Sequence, residues 1–370
     1  MSLVMSVLSR LRLAVIGVVV LAGVVLVVAV RGVGAPQAPR PVGDVRGALA
    51  ESPAPSPTAT ATAIPSPTTS PLPSASPTPL PVPLSGPTHP GGRYSAPMAY
   101  DGARRDVVMF GGVGGADETW TWDGRWTLRH PAHSPGPRAY SEMAYDPVHR
   151  QVVLFGGIGL SDTWLWDGTD WTEAAPTFVP QQTIEEGMTF SSATGTVLMY
   201  SGGGFGSIHV YSWDGRNWTD LPFTGGPPSS AFQGGFSADP VRGVVVLLAD
   251  DINQQKLQHW EFDGRTWTHR DVPTPPVRAL VQTVTDQRDH TIVMFGGVNF
   301  NDTWTWDGTQ WTQQQPRHSP PQRSSTGPMP SMAYDAARGE VVVFGGLPVM
   351  GPNVPLDDTW TWNGRDWRQR

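Results

Sequence analysis

After residue 90 the chain repeats one order of hydrophobic and polar positions. MAYD at 98–101 alternates, QVVLF at 151–155 is a short apolar run, and TWLW at 163–166 places Trp164 and Trp166 on one face. A period of two is the signature of strands. Aligned on the residue that ends the apolar run, the units fall at Phe110, Phe155, Tyr200, Leu248, Phe295 and Phe344, with intervals of 45, 45, 48, 47 and 49 residues. A second register, an aromatic residue followed by Asp-Gly or Asn-Gly, falls at Trp122, Trp166, Trp213, Phe262, Trp306 and Trp362. Both registers count six units.

Each unit predicts four strands. Short turns such as DPVHR join the first two, and Asp-Gly joins the last two, because those residues tolerate positive φ in a hairpin. A closing Trp, at 126, 171, 218, 267, 311 and 367, starts the fourth strand. Four strands in a period of 40–50 residues predict propeller blades, which close radially and protect their edges. The expected fold is therefore all-β, a six-bladed propeller over residues 91–370. Recurrence of Trp at fixed positions points to packing, each buried aromatic removing roughly 150–250 Å² from water. Every unit holds its own four strands, so the ring is expected to close by packing of the first blade on the sixth, without strand exchange.

The stretch PGPRAYSEMAYDPVHRQVVLFGG followed by DTWLWDGTDW resembles the kelch repeat: an Arg, an alternating strand, an apolar run ending in Gly-Gly, then an aromatic and a Trp at near-fixed spacing. The resemblance covers residues 91–370 and implies a kelch-type six-bladed propeller like the repeats of the galactose oxidase central domain. Two blades depart from it, with YSGG at 200–203 in the third and LADD at 248–251 in the fourth. Loss of Gly-Gly puts the packing between the fourth blade and its neighbours in doubt.

The N-terminal quarter is of another kind. Residues 13–30, LAVIGVVVLAGVVLVVAV, run 18 residues without a charge behind Arg10 and Arg12, the length of a transmembrane helix. Residues 1–35 therefore read as a signal anchor, with a cleaved secretory signal as the alternative. Residues 36–90 carry 16 of the 38 Pro with Ser, Thr and Ala, the composition of a disordered, polyproline-like stalk. Either reading puts the C-terminal part outside the cytoplasm, tethered to the cell membrane or secreted.

Charge and composition exclude several classes. Of the net −7, residues 1–92 contribute +3 (five Arg against Asp44 and Glu51), which leaves −10 for the rest, with Lys256 the sole Lys. A nucleic-acid binder needs a clustered basic face, so that partner is excluded. There is no Cys, which removes thiolate chemistry, Cys-ligated metals and the Tyr–Cys cofactor of galactose oxidase. No cofactor or metal is expected, since only His130 and His133 approach each other in sequence.

The turns within strand pairs are uniform, whereas the opposite face varies, from six residues in IGLSDT to thirteen in LPVMGPNVPLDDT. Sites on rigid scaffolds sit on such loops. The candidate ligand residues there are Arg93, Arg138, Arg278 and Arg323, which match the kelch Arg, and the acidic pair Glu185 and Glu186. An Arg cluster holds carboxylates or acidic sugars through paired hydrogen bonds; the same arginines also read as structural, bonded to carbonyls or to acids of neighbouring blades. Asp250 and Asp251 are a second acidic pair on this face. The leading expectation is a monomeric, membrane-tethered propeller that binds a protein or glycan without catalysis, the alternative a sugar-modifying enzyme resembling a sialic acid mutarotase, working at the channel mouth.

Overall fold

The protein was analysed as a computed structural model, which describes residues 87–181, 186–202, 207–228, 231–251, 255–323, 330–349 and 352–370. The chain divides into two units, Met1–Ser85 and Gly86–Arg370. The expected anchor over 1–35 and nearly all of the expected stalk lie outside the described residues.

The second unit is a six-bladed propeller of 24 strands. Blade 1 holds β1 (Met98–Asp101), β2 (Asp106–Phe110), β3 (Thr119–Trp122) and β4 (Trp126–Arg129); blade 2 holds β5 (Glu142–Asp146), β6 (Gln151–Gly157), β7 (Leu160–Trp166) and β8 (Trp171–Ala174). Blade 3 holds β9 (Glu186–Ser191), β10 (Thr196–Ser201), β11 (His209–Trp213) and β12 (Trp218–Asp220); blade 4 holds β13 (Ala231–Ala238), β14 (Val245–Asp251), β15 (Lys256–Phe262) and β16 (Trp267–Arg270). Blade 5 holds β17 (Gln282–Asp286), β18 (Thr291–Phe295), β19 (Thr303–Trp306) and β20 (Trp311–Gln313); blade 6 holds β21 (Ser331–Asp335), β22 (Glu340–Phe344), β23 (Thr359–Trp362) and β24 (Trp367–Gln369). Each blade is an antiparallel meander with its strands in chain order, and no strand is exchanged between the two ends of the ring. The closing Trp opens the fourth strand in all six.

The second strands are continuous apolar runs because both of their faces are buried. Val107 and Met109 of β2 pack toward blade 6, in a cluster with Val342 and Phe344, while Val108 and Phe110 pack toward blade 2 with Val152 and Leu154. Each of the six interfaces has one such cluster. The paired aromatics sit in them: Trp166 and Trp171 have ring centroids 5.2 Å apart, and Trp213 and Trp218 also 5.2 Å. Residues of opposite parity on one strand serve different interfaces, as the pleat requires.

The uniform face is knit from two turns. An Asp ending the first strand accepts the amides two and three residues on, as Asp146 does from Val148 and His149 at 3.0 and 3.2 Å. The side chain at the third position then reaches the Asp-Gly hairpin of the next blade: Arg104 covers Gly168, His149 covers Gly215, and Arg338 covers Gly124 across the ring closure. Gly168 has φ +97 and a Cβ there would collide with Arg104, so this turn needs glycine for its backbone and for its neighbour.

Candidate functional site

The first strands of all six blades surround a central channel of about 740 Å³, a volume in the range of small-molecule sites. Its two ends differ. One is formed by the turns after the first strands, with Gly102, Pro147, Pro240 and His290; the other, on the variable face, carries Ser95, Tyr140, Leu280 and Pro330. We take the second end as the mouth.

Three residues with positive φ stand at this end. Ser95, Tyr140 and Leu280, two residues beyond Arg93, Arg138 and Arg278, have φ of 52, 58 and 58, a conformation that non-glycine residues seldom adopt and that persists only where surrounding structure fixes it. The Tyr140 amide donates to the Ser95 carbonyl at 3.1 Å, which ties blade 2 to blade 1 at the lip. Burial pushes the Tyr140 phenol above its ordinary pKa.

Below the lip, the residue that opens the first strand varies along the ring, although β5 and β9 both open on Glu. Glu142 opens β5, Gln282 opens β17 and Ser331 opens β21, and all three line the channel. Blades 2 and 5 are opposite members of a six-membered ring, so Glu142 and Gln282 occupy opposite walls. The Ser331 hydroxyl, and that of Ser141 beside Glu142, are buried without a hydrogen-bond partner. Deeper, the wall becomes apolar with Met98, Met143, Met188 and Met332 in four blades, while blades 4 and 5 are joined by Ser237 and Thr283 hydroxyls 2.8 Å apart.

The four arginines named from the sequence are elsewhere. Arg93, Arg138, Arg278 and Arg323 have side chains no more than 2% exposed, and none lines the channel. Each is spent within its own blade. Arg138 donates to the Gly156 carbonyl at 3.0 Å and to both Asp162 oxygens at 2.8 and 2.9 Å, and Trp164 Nε1 donates to the same carboxylate at 2.7 Å. Arg93 with Glu118 and Trp120, Arg278 with Asp302 and Trp304, and Arg323 with Asp358 and Trp360 repeat the clasp. Burial works to raise the Asp162 carboxyl pKa, but the bonds from Arg138 and Trp164 outweigh it and hold it low. The clasp fixes the Gly-Gly corner to the loop that leads into the first strand. Glu185 lies outside the described residues; Glu186 opens β9, paired with Ser201, and its side chain lies outside them too.

Blade 4 inverts the clasp. Trp260 Nε1 donates to Gln258 Oε1 at 2.8 Å, and Gln258 Nε2 donates to Asp251 at 2.8 Å, so an amide links the indole to a carboxylate without the guanidinium of blades 1, 2, 5 and 6. Its first three strands are longer than those of blade 1, and Asp250 and Asp251 continue β14 where others turn at Gly-Gly. Adjacent on one strand, they face opposite sides. Burial and then the Asp251 charge push the Asp250 carboxyl up to about 6, and one Asp250 oxygen is buried without a partner.

Sequence reasoning passed over the channel residues Tyr140, Ser141, Glu142, Gln282 and Ser331. Their signal is positional: they lie from just after the clasp Arg to the first residue of the first strand, where the units disagree, whereas the closing Trp and the recurrent Arg, which drew attention, are where most of them agree.

No family model matches the sequence, and no curated protein matches it. Solved structures do. YjhT matches at 12% identity and a TM-score of 0.56, over 77% of this chain and 99% of that one. A point mutant of the Aleuria aurantia lectin AAL in complex with Fucα1-6GlcNAc matches at 16% identity and a TM-score of 0.54, over 77% and 96%. SapL1 lectin in complex with α-methyl fucoside matches at 16% identity and a TM-score of 0.50, over 76% and 95%. Likeness at these identities is one of fold, and it places the chain among six-bladed β-propellers.

Proposed function

We propose that this protein is a glycan-binding propeller built of kelch-type repeats, held outside the cytoplasm by its N-terminal apolar segment, and that it binds without catalysis. The observation that carries the reading is the channel mouth, where Glu142 and Tyr140 of blade 2 face Gln282 of blade 5 across a concave, partly apolar cavity that Ser141 and Ser331 also line. Sugars are recognised by such a mixture, in which an apolar surface carries a few fixed donors and acceptors. Lectins among the fold neighbours agree with it. The arginines contribute by holding the mouth loops in place, and the enzyme reading loses the free guanidinium groups it would use on an acidic sugar.

A glycan array probed with the full chain tests the proposal, followed by titration of each hit against Ser331→Ala and Gln282→Ala. Binding that weakens tenfold or more in these variants, with unchanged melting, supports it. An empty array, with a protein captured from the cell surface instead, would sink it. Protease treatment of intact cells tests the topology: cleavage of the propeller places it outside.

A further inference from the structure

Resting on the reading of the channel as a glycan site, we infer that its deep part, beside blades 4 and 5, takes an acylamino group such as the acetamido group of an N-acetylated sugar, with Ser237 and Thr283 as the specificity-determining residues. At three interfaces the innermost strands place Ala and Met in one cluster: Ala99 with Met143, Ala144 with Met188 and Ala333 with Met98. Between blades 4 and 5 the corresponding pair is Ser237 and Thr283, whose hydroxyls lie 2.8 Å apart. Thr283 is half-buried, whereas its counterparts Met98, Met143, Met188, Phe236 and Met332 are buried. Two residues further on, Ala238 and Thr285 stand where blades 1, 2, 3 and 6 have Tyr100, Tyr145, Phe190 and Tyr334. The smaller side chains leave room on this side of the channel, which Ser237, Ala238, Thr283 and Thr285 all line. The backbone is fitted to the pair: β13 shifts register between Gln233 and Gly235, and a Cβ on Gly235 would lie 2.6 Å from the Thr283 side chain.

Two hydroxyls hold two protons, and one is spent in the bond between them. Neither hydroxyl makes a further hydrogen bond among the described residues, so the second proton is left for a ligand. Thr285 offers none, because its hydroxyl donates to the Ala238 carbonyl at 2.6 Å. A ligand carbonyl accepts the spare proton, and a ligand N–H reaches a hydroxyl lone pair. Blades 1 and 2 stand opposite in the ring, and there Met98 and Met143 line the wall, a soft apolar surface for a methyl group. The residues at this depth, 98–100, 143–145, 188–190, 236–238, 283–285 and 332–334, are all described and none is charged, so neither an ammonium nor a carboxylate finds a counter-ion among them. An acetamido group brings carbonyl, N–H and methyl together; a plain hydroxyl leaves the methionines without an apolar partner.

Titration of the full chain with fragments of chitin, chitosan and cellulose of equal length tests the inference, since the three share one backbone and differ in bearing an acetamido, amino or hydroxyl group. The chitin fragment should bind about tenfold tighter than the other two, the worth of one hydrogen bond and one buried methyl group. Thr283→Val, which keeps the shape and removes a hydroxyl, should erase the preference, and Thr283→Ser should retain it. The double variant Ser237→Ala with Thr283→Met installs the pair found at the other interfaces, so it should melt no lower than the parent and still lose the preference. A preference that survives in the double variant overturns the inference. Chitosan or cellulose bound as tightly as chitin, or array hits without N-acyl groups, overturn it while leaving the glycan reading intact; no glycan bound at all overturns that reading and the inference with it.

Discussion

The indole of Trp126 in blade 1 donates to the Thr359 hydroxyl of blade 6 at 2.8 Å, across the point where the ring closes. The same bond joins Trp171 to Thr119, Trp218 to Thr163 and Trp367 to Thr303, at 2.9, 2.9 and 2.8 Å. Closure is thus one more copy of the contact made between other blades, which is why no strand needs to be exchanged. Thr359→Val keeps the shape and removes the acceptor, leaving the buried indole N–H unpaired. We expect a loss of about 1–3 kcal/mol, read from urea unfolding; a loss as small as that of a surface control would show that apolar packing alone closes the ring.

Two interfaces depart from it: Trp311 of blade 5 donates to His259 of blade 4, and Trp267 of blade 4 has no such bond. Trp267 packs in one cluster with Val210, which holds the position that Thr occupies in blades 1, 2, 5 and 6, and its Nε1 is buried without a partner. Val210→Thr supplies the acceptor, and a gain of up to about 1 kcal/mol is expected. Added to Thr359→Val, it should act independently, because the two sites share no partner.

The architecture was legible because it is written six times. Asp-Gly turns, closing Trp residues and apolar runs recur at fixed spacing, and every predicted fourth strand begins at its Trp. Long-range geometry was not legible. Arg138 stands out in the sequence as a charged residue beside a variable loop, and nothing local says that Asp162, 24 residues later, closes on it. Nor does the sequence show that the Thr before Trp164 serves a Trp of the following blade. The channel residues were missed for a related reason: lining a channel depends on closure of the whole ring, whereas Ser141 and Glu142 look locally like the start of any strand.

The clasp predicts strong coupling between Arg138 and Asp162. Removing either partner leaves a buried charge, so Arg138→Met and Asp162→Leu should each cost about 2–4 kcal/mol, the exposed part of Asp162 lowering the figure. The double variant should cost less than the sum. Additive losses in the double-mutant cycle would show that the pair does not act as a unit.

Asp250 predicts a stabilising substitution whose size depends on pH. Its folded pKa of about 6 lies above the ordinary carboxylate value of 3.8, so the folded state disfavours the charge. That penalty is absent below pH 3.8, grows as pH rises through 6 and is complete above it. Asp250→Asn removes it, and a gain of about 1–3 kcal/mol is expected at pH 7.5, vanishing near pH 3.5. Equal effects at both pH values would contradict the assignment.

His259 bends the pH profile the opposite way, and blade 4 holds both groups. Its ring is fully buried in β15, with Nδ1 accepting from Trp311 at 3.0 Å, which puts the proton on Nε2, 3.2 Å from Glu261. Glu261 also takes a bond from Arg242 at 2.8 Å and lies 3.7 Å from Arg270, while Trp306 packs against the imidazole with centroids 4.2 Å apart. Burial lowers the His259 pKa from 6.5, with Glu261 opposing it and the two arginines adding to it. The unfolded chain therefore takes up a proton at pH values where the folded chain does not, and stability falls as pH drops below 6.5, by up to about 1.4 kcal/mol per pH unit. His259→Gln offers a carbonyl to accept from Trp311 and an amide to donate to Glu261, and removes the titration. Between pH 4 and 6 the two terms oppose each other, so the comparison belongs in the Asp250→Asn background. There the histidine protein should lose stability from pH 6.5 to 5 relative to the glutamine protein, the Asp106 carboxyl, also pushed up to about 6, being common to both; parallel curves would mean that His259 serves blade 4 by packing alone.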